Sequence, residues 1–257
     1  MISFVVIGKN EGKNLRRCFD SIYKAIELNE LSGSEVIYVD SASSDDSIAI
    51  AKSYDGICIY EIEQGGSPAA GRNVGWKMAG NEMICFIDGD NELNPMFFKA
   101  IINDENILEK GFFIGNHEDW FYTYKGEFIS KNLIEIKKRI FPSTYGWFII
   151  KRSMIETIGG YDEAFRKPGG EDYDLFIRLK RSGIEPAIID DVIVKHHTVS
   201  YLHPRRSFKM LADGSVLFAR PFLYRKHLFD KDLLRLFLRR EYSLLGMLFF
   251  FGAALFF

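Results

Sequence analysis

Two carboxylates separated by one glycine follow an apolar run in the first half of the chain. Asp88-Gly89-Asp90 comes directly after the segment ICFI, which has the composition of a buried strand. Carboxylates at a strand end can share a divalent cation such as Mg²⁺ or Mn²⁺, and glycine lets the backbone turn between them. Asp-Gly is also a common hairpin-turn pair. The pattern therefore leaves a metal site and a plain turn open.

A second acidic pair opens a helical pattern further along the chain. Glu171-Asp172 follows Gly169-Gly170 and begins the segment EDYDLFIRLKRS, which is predicted to be helical over residues 171–182. The helix dipole favours acidic residues at a helix N-terminus, and this explains the pair without any function. The functional interpretation is a general base presented at the mouth of a cleft.

Two histidines and an arginine complete the set of candidate groups. His196-His197 follows a predicted strand over residues 187–194, and a histidine there would complete a metal site begun by Asp90. A hydrogen-bonded or surface histidine is the alternative. Arg72 begins a helix after the loop GGSP, where it would bind phosphate or a base, or form an ordinary solvated helix start.

The elements that must position these groups alternate over the first 110 residues. Apolar strand-like runs are followed by segments whose apolar residues recur at helical spacing. The predicted strands cover residues 2–7, 35–39, 57–62 and 83–87, and the predicted helices cover residues 13–28, 46–54, 69–79 and 95–108. This order predicts an α/β fold with a mainly parallel, doubly wound sheet. Ligands bind beyond the carboxyl ends of such strands, where Asp40 and Asp88 both stand.

The pattern becomes mixed after residue 110. Strands are predicted over residues 112–118, 121–124, 148–151 and 187–194, the first two joined around Asp119-Trp120, and a short helix over residues 132–139. We therefore expect one domain over residues 1–200, with a parallel part over residues 1–110 and a mixed part over residues 111–200.

Six short segments, taken in order, resemble the family 2 glycosyltransferases. They are KNEG, the strand ending at Asp40, AGRN, IDGD, IGGYDEAF and GGEDYDLFIRL, spread over about residues 1–200. Proteins of this family have the GT-A fold and use nucleotide-diphosphate sugars. The resemblance therefore implies a catalytic domain over residues 1–200, with the donor half over about residues 1–110 and the acceptor half over about residues 111–200. The last two segments in succession are the most specific part of the resemblance.

The resemblance implies a nucleotide-sugar site at the carboxyl ends of the first strands. It assigns donor binding to Gly8, Lys9, Asn10, Glu11, Asp40, Arg72, Asp88 and Gly89. Asp40 would recognise the nucleobase, and Asp88 would lie near the ribose. The family often has Thr-Tyr where this chain has Gly8-Lys9. Stacking of a tyrosine on the base is therefore lost, and Lys9 is expected to meet phosphate.

The resemblance also implies a metal ion, a catalytic base and an acceptor surface. Asp90 matches the second acid of the family's D-x-D motif and would bind Mn²⁺ or Mg²⁺ directly, with His196 as its partner and His197 as a one-residue alternative. Asp172 matches the catalytic base. The candidates for acceptor contact are Glu171, Trp147 and His117, with Glu118 and Trp120 beside them, and core packing is the alternative for the aromatic residues.

The implied reaction is sugar transfer with inversion to a hydroxyl of a glycan or a lipid-linked acceptor. UDP-sugar is the first choice of donor, and GDP and dTDP stay open. A sugar nucleotidyltransferase is one alternative, although the loop after the first strand does not have the Gly-rich, Arg-containing signature of those enzymes. A non-catalytic membrane scaffold is the other. A dehydrogenase is disfavoured because no G-x-G-x-x-G follows the first strand.

The charge of the chain is unevenly distributed. Over the 257 residues the net charge is −2, but residues 1–200 hold 23 basic and 31 acidic residues, whereas residues 201–240 hold 10 basic and 3 acidic residues. Basic residues interleaved with Phe, Leu and Tyr predict an amphipathic, helical segment over residues 201–241 that lies on anionic lipid. Nucleic acid is the rival partner, and the acidic body argues against it.

The last predicted segment is apolar. Residues 242–257 include 14 uncharged residues from Leu244 to Phe257, fewer than the roughly 20 that a spanning helix needs. A membrane span, an interfacial helix and a buried helix therefore stay open. The short apolar N-terminus has no basic region typical of a signal peptide. Three widely spaced cysteines disfavour disulfides and zinc. The expected location is the cytoplasmic face of the cell membrane.

Overall fold

The apolar runs at the start of the chain form a parallel sheet, which later strands extend. The computed structural model describes residues 1–62, 66–102, 110–139, 146–200 and 219–240. The strands in these residues are β1 (Ile2–Gly8), β2 (Glu35–Asp40), β3 (Ile57–Glu61), β4 (Met83–Asp88), β5 (Asn91–Leu93), β6 (Phe112–Tyr122), β7 (Phe128–Ile134), β8 (Phe148–Lys151) and β9 (Ala187–Val199). The α-helices are α1 (Gly12–Leu28), α2 (Ser47–Lys52), α3 (Pro68–Met78), α4 (Phe97–Ile102), α5 (Arg152–Thr157), α6 (Glu171–Arg181), α7 (Arg220–Lys226) and α8 (Lys231–Arg240).

One mixed sheet contains all of these strands. Its order is β3-β2-β1-β4-β8-β6-β9-β5, and β7 pairs with β6 beside this path. Strands β3, β2, β1 and β4 are mutually parallel, which confirms the parallel arrangement predicted for the first half of the chain. Strand β8 then runs antiparallel to β4, β6 antiparallel to β8, and β9 parallel to β6. The second half is mixed, as predicted.

Apolar side chains hold helices on the sheet. Phe4, Val5 and Val6 of β1 are fully buried, as the central position of this strand requires. Helix α1 buries one stripe, with Leu15, Cys18, Phe19 and Ile22 fully enclosed. On the side of α6, the ring of Phe176 packs edge-on against Phe112 and Phe148, with centroids 5.3 and 5.5 Å apart. Full burial of each such ring stabilises the fold by about 1.5–3 kcal/mol.

Three predictions in the second half were wrong in detail. Strand β6 does not break at Asp119-Trp120, because β9 pairs with it along residues 113–122. Residues 132–139 are not an α-helix, since β7 pairs with β6 up to Ile134 and only a 3₁₀ turn follows at Ile136–Lys138. Strand β9 continues to Val199, so His196 and His197 lie within the strand rather than after it.

The end of the described chain forms a helix pair that packs on α6. Leu223, Leu233 and Leu236 of this helix pair are buried. Residues 201–218 and 241–257 lie outside the described residues, as do residues 103–108 of the helix predicted over residues 95–108. Within the described ranges, no helix has the length and apolar character needed to cross a membrane.

Candidate active site

Three neighbouring strands end at the same edge of the sheet. In the parallel register Gly8 lies opposite Asp40, and Ile7 lies opposite Asp88. Parallel strands place their carboxyl ends on one rim. The rim therefore brings together the loops after β1, β2 and β4, as the sequence predicted for Asp40 and Asp88.

The loops after β1 and β2 are joined by hydrogen bonds. The Asn10 amide donates to Ser43 Oγ at 2.8 Å, and the Ser44 amide donates to Asn10 Oδ1 at 2.7 Å. The amide of Glu11 donates to Ser47 Oγ at 3.0 Å. Asn10 adopts a positive φ of 59°, a conformation that asparagine tolerates well. This framework leaves Lys9 exposed at the rim.

Asp40 lies beneath the rim rather than on it. Its carboxylate is 1% exposed and accepts hydrogen bonds from the Tyr38 hydroxyl at 2.8 Å and the Ser43 amide at 2.7 Å. Burial, together with the bond to Asp40, raises the pKa of Tyr38. Asp40 thus holds the turn that follows β2, and its recognition of a nucleobase stays a prediction.

Arg72 binds three carboxylates from distant parts of the chain. The guanidinium lies on α3 and is 2% exposed. Its Nη2 contacts Asp88 at 2.8 Å, and its Nη1 lies 3.4 Å from Glu171 and 3.5 Å from Asp172. Burial disfavours the cation, but the carboxylates, led by Asp172 and Asp88, outweigh it and raise the pKa of Arg72. Arg72 therefore joins the end of β4 to the start of α6.

The start of α6 holds two acids with different surroundings. One Glu171 oxygen accepts the amides of Gly169 and Gly170 at 2.8 and 3.0 Å, and the other faces Arg72. Asp172 accepts a hydrogen bond from the Tyr161 hydroxyl at 3.3 Å. Burial raises the pKa of Asp172 to about 6, with Arg72 opposing the shift. A carboxyl group poised near neutral pH suits proton transfer.

Gly146 allows Asp88 and Arg72 to approach each other. Its φ is +97°, and a Cβ there would collide with Asp88 Oδ2 and Arg72 Nη2. Desolvation raises the pKa of Asp88 and outweighs the opposing effect of Arg72. Nothing in the local sequence around Gly146 shows which distant side chains this glycine lies against.

Asn73 and Tyr161 also belong to the site, although neither was among the predicted site residues. The Asn73 side-chain amide donates to the Tyr161 carbonyl at 2.9 Å, and its oxygen accepts the Tyr161 amide at 2.8 Å. The Tyr161 ring lies 5.4 Å from the Arg72 guanidinium carbon, close enough for a cation–π contact. Asn73 therefore fixes the loop that carries the hydroxyl bound to Asp172. Two sequence features could have identified these residues: Asn73 directly follows Arg72, and Tyr161 lies within the segment IGGYDEAF.

A second cluster forms around His196. Its Nε2 lies 3.1 Å from Asp90 Oδ2, and its Nδ1 lies 2.8 Å from Asp119 Oδ1. Strand pairing causes this geometry, since His196 lies opposite both Asn91 of β5 and Asp119 of β6. Asp119 orients the ring, a role that the prediction of a turn at this residue did not foresee.

His197 lies in a different environment from His196. Its Nε2 bonds to Glu92 at 3.0 Å and its Nδ1 to the Tyr122 hydroxyl at 2.9 Å. Burial lowers the pKa of His197. Successive side chains of a strand point to opposite faces. Of the two imidazole rings, therefore, the structure brings that of His196 and not that of His197 to the Asp90 carboxylate.

The side chains around Asp90 fit part of the ligand set of a divalent cation, and the substrate would supply the other ligands. Among the described residues no group of three or more Cys, His, Asp or Glu side chains gathers as a metal cage. Asp90 and His196 nevertheless face each other, and Asp119 behind His196 is the kind of outer partner that orients a metal-binding histidine. Burial and the charge of Asp90 raise the pKa of Glu11 to about 7, with Asn14 and His196 opposing the shift, so acidic groups lie close together here. The metal role of Asp90 and His196 stays a prediction.

The three candidates for acceptor contact are buried. His117 and Trp147 are each 2% exposed and Glu171 is 4% exposed. Burial also lowers the pKa of His117 to about 4, which favours its neutral form. In this structure none of these three side chains offers an open surface for a sugar to stack on, and their acceptor role stays a prediction.

The two other candidates, Glu118 and Trp120, lie on the far side of β6. The Trp120 ring lies 5.7 Å from that of His197 and 5.3 Å from that of Phe128. The Trp120 indole donates to Glu118 at 2.9 Å. These contacts place both side chains on the face of the strands opposite Asp119 and His196.

Comparisons with known proteins agree with this architecture. A model of glycosyl transferase family 2 matches residues 3–161, and a model of a glycosyltransferase-like family 2 matches residues 112–212. An uncharacterized glycosyltransferase of Bacillus subtilis (strain 168), YfnE, is 23% identical over 63% of this chain and 56% of its own length. This chain thus spans just over half of that relative.

Solved structures share the fold. Crystal structures of S. aureus TarS residues 1–349 superpose with a TM-score of 0.60 without ligand, 0.55 with UDP and 0.58 with UDP-GlcNAc. Their sequence identity to this chain is 17–18%. The ligand-free superposition covers 94% of this chain and 73% of TarS 1–349, the UDP complex 85% and 66%, and the UDP-GlcNAc complex 85% and 67%. At this identity the likeness shows the mixed α/β fold.

Proposed function

The chain belongs to glycosyl transferase family 2, and on that basis we propose that it transfers a sugar, with inversion and with the help of a divalent cation, from a nucleotide-diphosphate sugar to an acceptor hydroxyl. The observation that carries the proposal is the Arg72 cluster. It holds Asp172, whose raised pKa suits a base, against the strand end that carries Asp88 and Asp90. UDP-sugar is the proposed donor, supported by the UDP and UDP-GlcNAc bound to TarS.

The donor would lie along the rim of β2, β1 and β4. Lys9 is exposed at this rim and would contact the diphosphate. Asp88 is held by Arg72 with one oxygen, and its side chain keeps 29% exposure toward the rim. That position suits a ribose hydroxyl, which can donate a hydrogen bond to a carboxylate oxygen.

Asp90 and His196 would hold Mn²⁺ or Mg²⁺ together with the donor. When bound there, the cation would neutralise charge that develops on the departing diphosphate. The protein's own contribution is orientation. Asp119 fixes the imidazole through Nδ1, so that Nε2 is directed at Asp90.

Asp172 would accept the proton from the acceptor hydroxyl as its oxygen attacks the anomeric carbon. Three groups prepare it for this task. Arg72 keeps the carboxylate from gaining a proton too readily, the Tyr161 hydroxyl orients it, and the start of α6 supports negative charge. Direct displacement by the activated oxygen inverts the anomeric centre.

The acceptor would be a glycan or a lipid-linked molecule at the cytoplasmic face of a membrane. Large apolar side chains are exposed on and beside the final helix pair, with Phe229 92%, Leu228 63%, Leu238 55% and Leu234 51% exposed. Arg235 and Arg239 are exposed on the same helix α8. Apolar and cationic groups together suit an anionic lipid surface. Sedimentation with phosphatidylglycerol vesicles tests this, and binding equal to that of neutral vesicles would contradict it.

A thermal-shift panel tests the donor class. UDP-, GDP- and dTDP-sugars are compared with and without Mn²⁺. We expect the unfolding temperature to rise with a UDP-sugar, and only when Mn²⁺ is present, because a ligand that binds the folded state stabilises it. An equal rise of the unfolding temperature with all three nucleotide sugars, or no rise with any of them, would contradict the proposal.

A further inference from the structure

A cavity lies between the loop before α6 and the start of α7. It has a volume of about 340 Å³, within the range of roughly 300–1,000 Å³ typical of small-molecule sites. The residues that line it are Ala164, Phe165, Arg166, Lys167, Ala219 and Phe222. The two rings meet edge-on with their centroids 4.7 Å apart. The cavity therefore combines apolar walls with two cations.

The wall of this cavity contacts the backbone that supports the catalytic acids. A Cβ on Gly170 would lie 2.8 Å from the Phe165 ring and 3.1 Å from the Ala219 carbonyl. The amides of Gly169 and Gly170 bind the Glu171 carboxylate, and Asp172 follows it. A molecule seated in the cavity would therefore lie next to the start of α6.

The two cations of the cavity differ in their pairing from the neighbouring Lys226. Lys226 is paired with Asp162 and Asp174 and lies over the Phe165 ring. Arg166 and Lys167 are exposed, and within the described part of the chain neither makes an ion pair. Two adjacent cations beside an apolar cavity suit an anion with an attached hydrocarbon chain.

We propose that this cavity binds the phosphate and the adjoining alkyl chain of a lipid-linked acceptor. The proposal rests on the transferase function and adds the place where the acceptor is held. Arg166 and Lys167 would bind the phosphate, and Phe165 and Phe222 would enclose the first carbons of the acceptor's alkyl chain. Helix α7, which carries Phe222, leads directly to the exposed Leu228 and Phe229. The rest of the acceptor's alkyl chain would therefore remain in the lipid.

Binding of octyl phosphate to the full chain tests the cavity without any need for turnover. Isothermal titration compares octyl phosphate with octanol and with inorganic phosphate. We expect octyl phosphate to bind at least about tenfold more tightly than either, since only this probe satisfies both the cations and the apolar walls. Octanol or phosphate binding as tightly as octyl phosphate would overturn the proposal.

Three variants locate the binding. Arg166→Ala with Lys167→Ala should weaken octyl phosphate about tenfold or more, because hydrogen bonds to charged groups are lost. Ala164→Trp should fill the cavity and abolish binding, since Ala164 lines it from an exposed position. Lys137→Ala with Lys138→Ala removes two adjacent exposed cations elsewhere and should change nothing.

The outcomes separate this site from the donor site. If octyl phosphate binds every variant as tightly as it binds the parent protein, the proposal is overturned. The same holds if octyl phosphate does not bind the parent protein. UDP binding is measured on the same proteins. If octyl phosphate binds as expected while UDP does not bind, the cavity stands and the donor assignment fails. If UDP binds and octyl phosphate does not, the cavity fails alone.

Discussion

Arg72 is the residue on which the proposed base depends. It is buried between three carboxylates, and only Asp172 among these also has the Tyr161 hydroxyl as a partner. Arg72 was expected near the nucleotide, but its 2% exposure shows that it lies beneath the site. Its position was predictable from AGRN, whereas its partners lie up to 100 residues away in sequence, at Asp172, and required the fold.

The pH dependence of transfer follows from Asp172. Its pKa is raised to about 6, and a base acts only when deprotonated, so the activity should fall below about pH 6 and level off above it. An ordinary aspartate would place this fall nearer pH 4. The measurement is kcat/KM of donor turnover between pH 4.5 and 8. A profile that stays flat down to pH 4.5 would show that Asp172 is not the base.

His196 and His197 provide a matched pair for the metal site. A UDP-sugar should stabilise the protein only when Mn²⁺ is present. In His196→Gln the Mn²⁺ affinity measured in this way should fall at least about tenfold, because Asp90 loses the imidazole that faces it. His197→Gln should preserve the response, since His197 contacts Glu92 and Tyr122 instead. The measurement is thermal shift against Mn²⁺ concentration. The reverse order of effects would assign the metal to the other face of β9.

At the scale of elements, the first four strands were predictable because their signals are local. Apolar runs and helical spacing gave β1 to β4 and the helices between them to within a few residues. Parallel strands must then end at one rim, which is why Asp40 and Asp88 could be placed together.

The pairing of β6, β7 and β9 was not predictable in the same way. Asp119 and Trp120 suggest a turn when taken alone, yet β9 pairs with them 77 residues later in the chain. This non-local pairing sets which histidine faces Asp90. The residues 128–134 are mostly exposed, so they carry little of the apolar alternation that reveals a strand.

The final helix pair is fastened to α6 by a buried carboxylate. Asp174 is fully buried and contacts His227 at 2.7 Å and Arg178 at 2.8 Å, with Lys226 on the same oxygen as His227. Asp174→Asn should destabilise the protein by about 3–5 kcal/mol, since it removes a fully buried charge that contacts Arg178, Lys226 and His227.

Asp232→Asn is the control for this prediction. It breaks an ion pair with Lys180 that is 54% and 31% exposed, and should cost less than about 1 kcal/mol. Urea unfolding measures both variants. Equal costs would show that Asp174 does not anchor the helices.

At the scale of the molecule, the uneven charge of the chain corresponds to two regions. The acidic part carries the carboxylates of the rim, and the described end of the chain carries α7 and α8 with exposed arginines and leucines. The cavity bounded by Phe165 and Phe222 lies where these regions meet. A sugar donor on one side and a lipid-linked acceptor on the other would approach Asp172 from different directions, as direct displacement requires.

Release of UDP from a UDP-sugar by the parent protein and by Asp172→Asn tests the central claim most directly. The account predicts Mn²⁺-dependent release by the parent, and release slower by about 10²–10⁴-fold in the variant, because general-base catalysis typically contributes this much. UDP affinity, measured by titration, should stay within about twofold, since the amide keeps the size of the carboxylate. Release by Asp172→Asn at the parent rate would contradict the account.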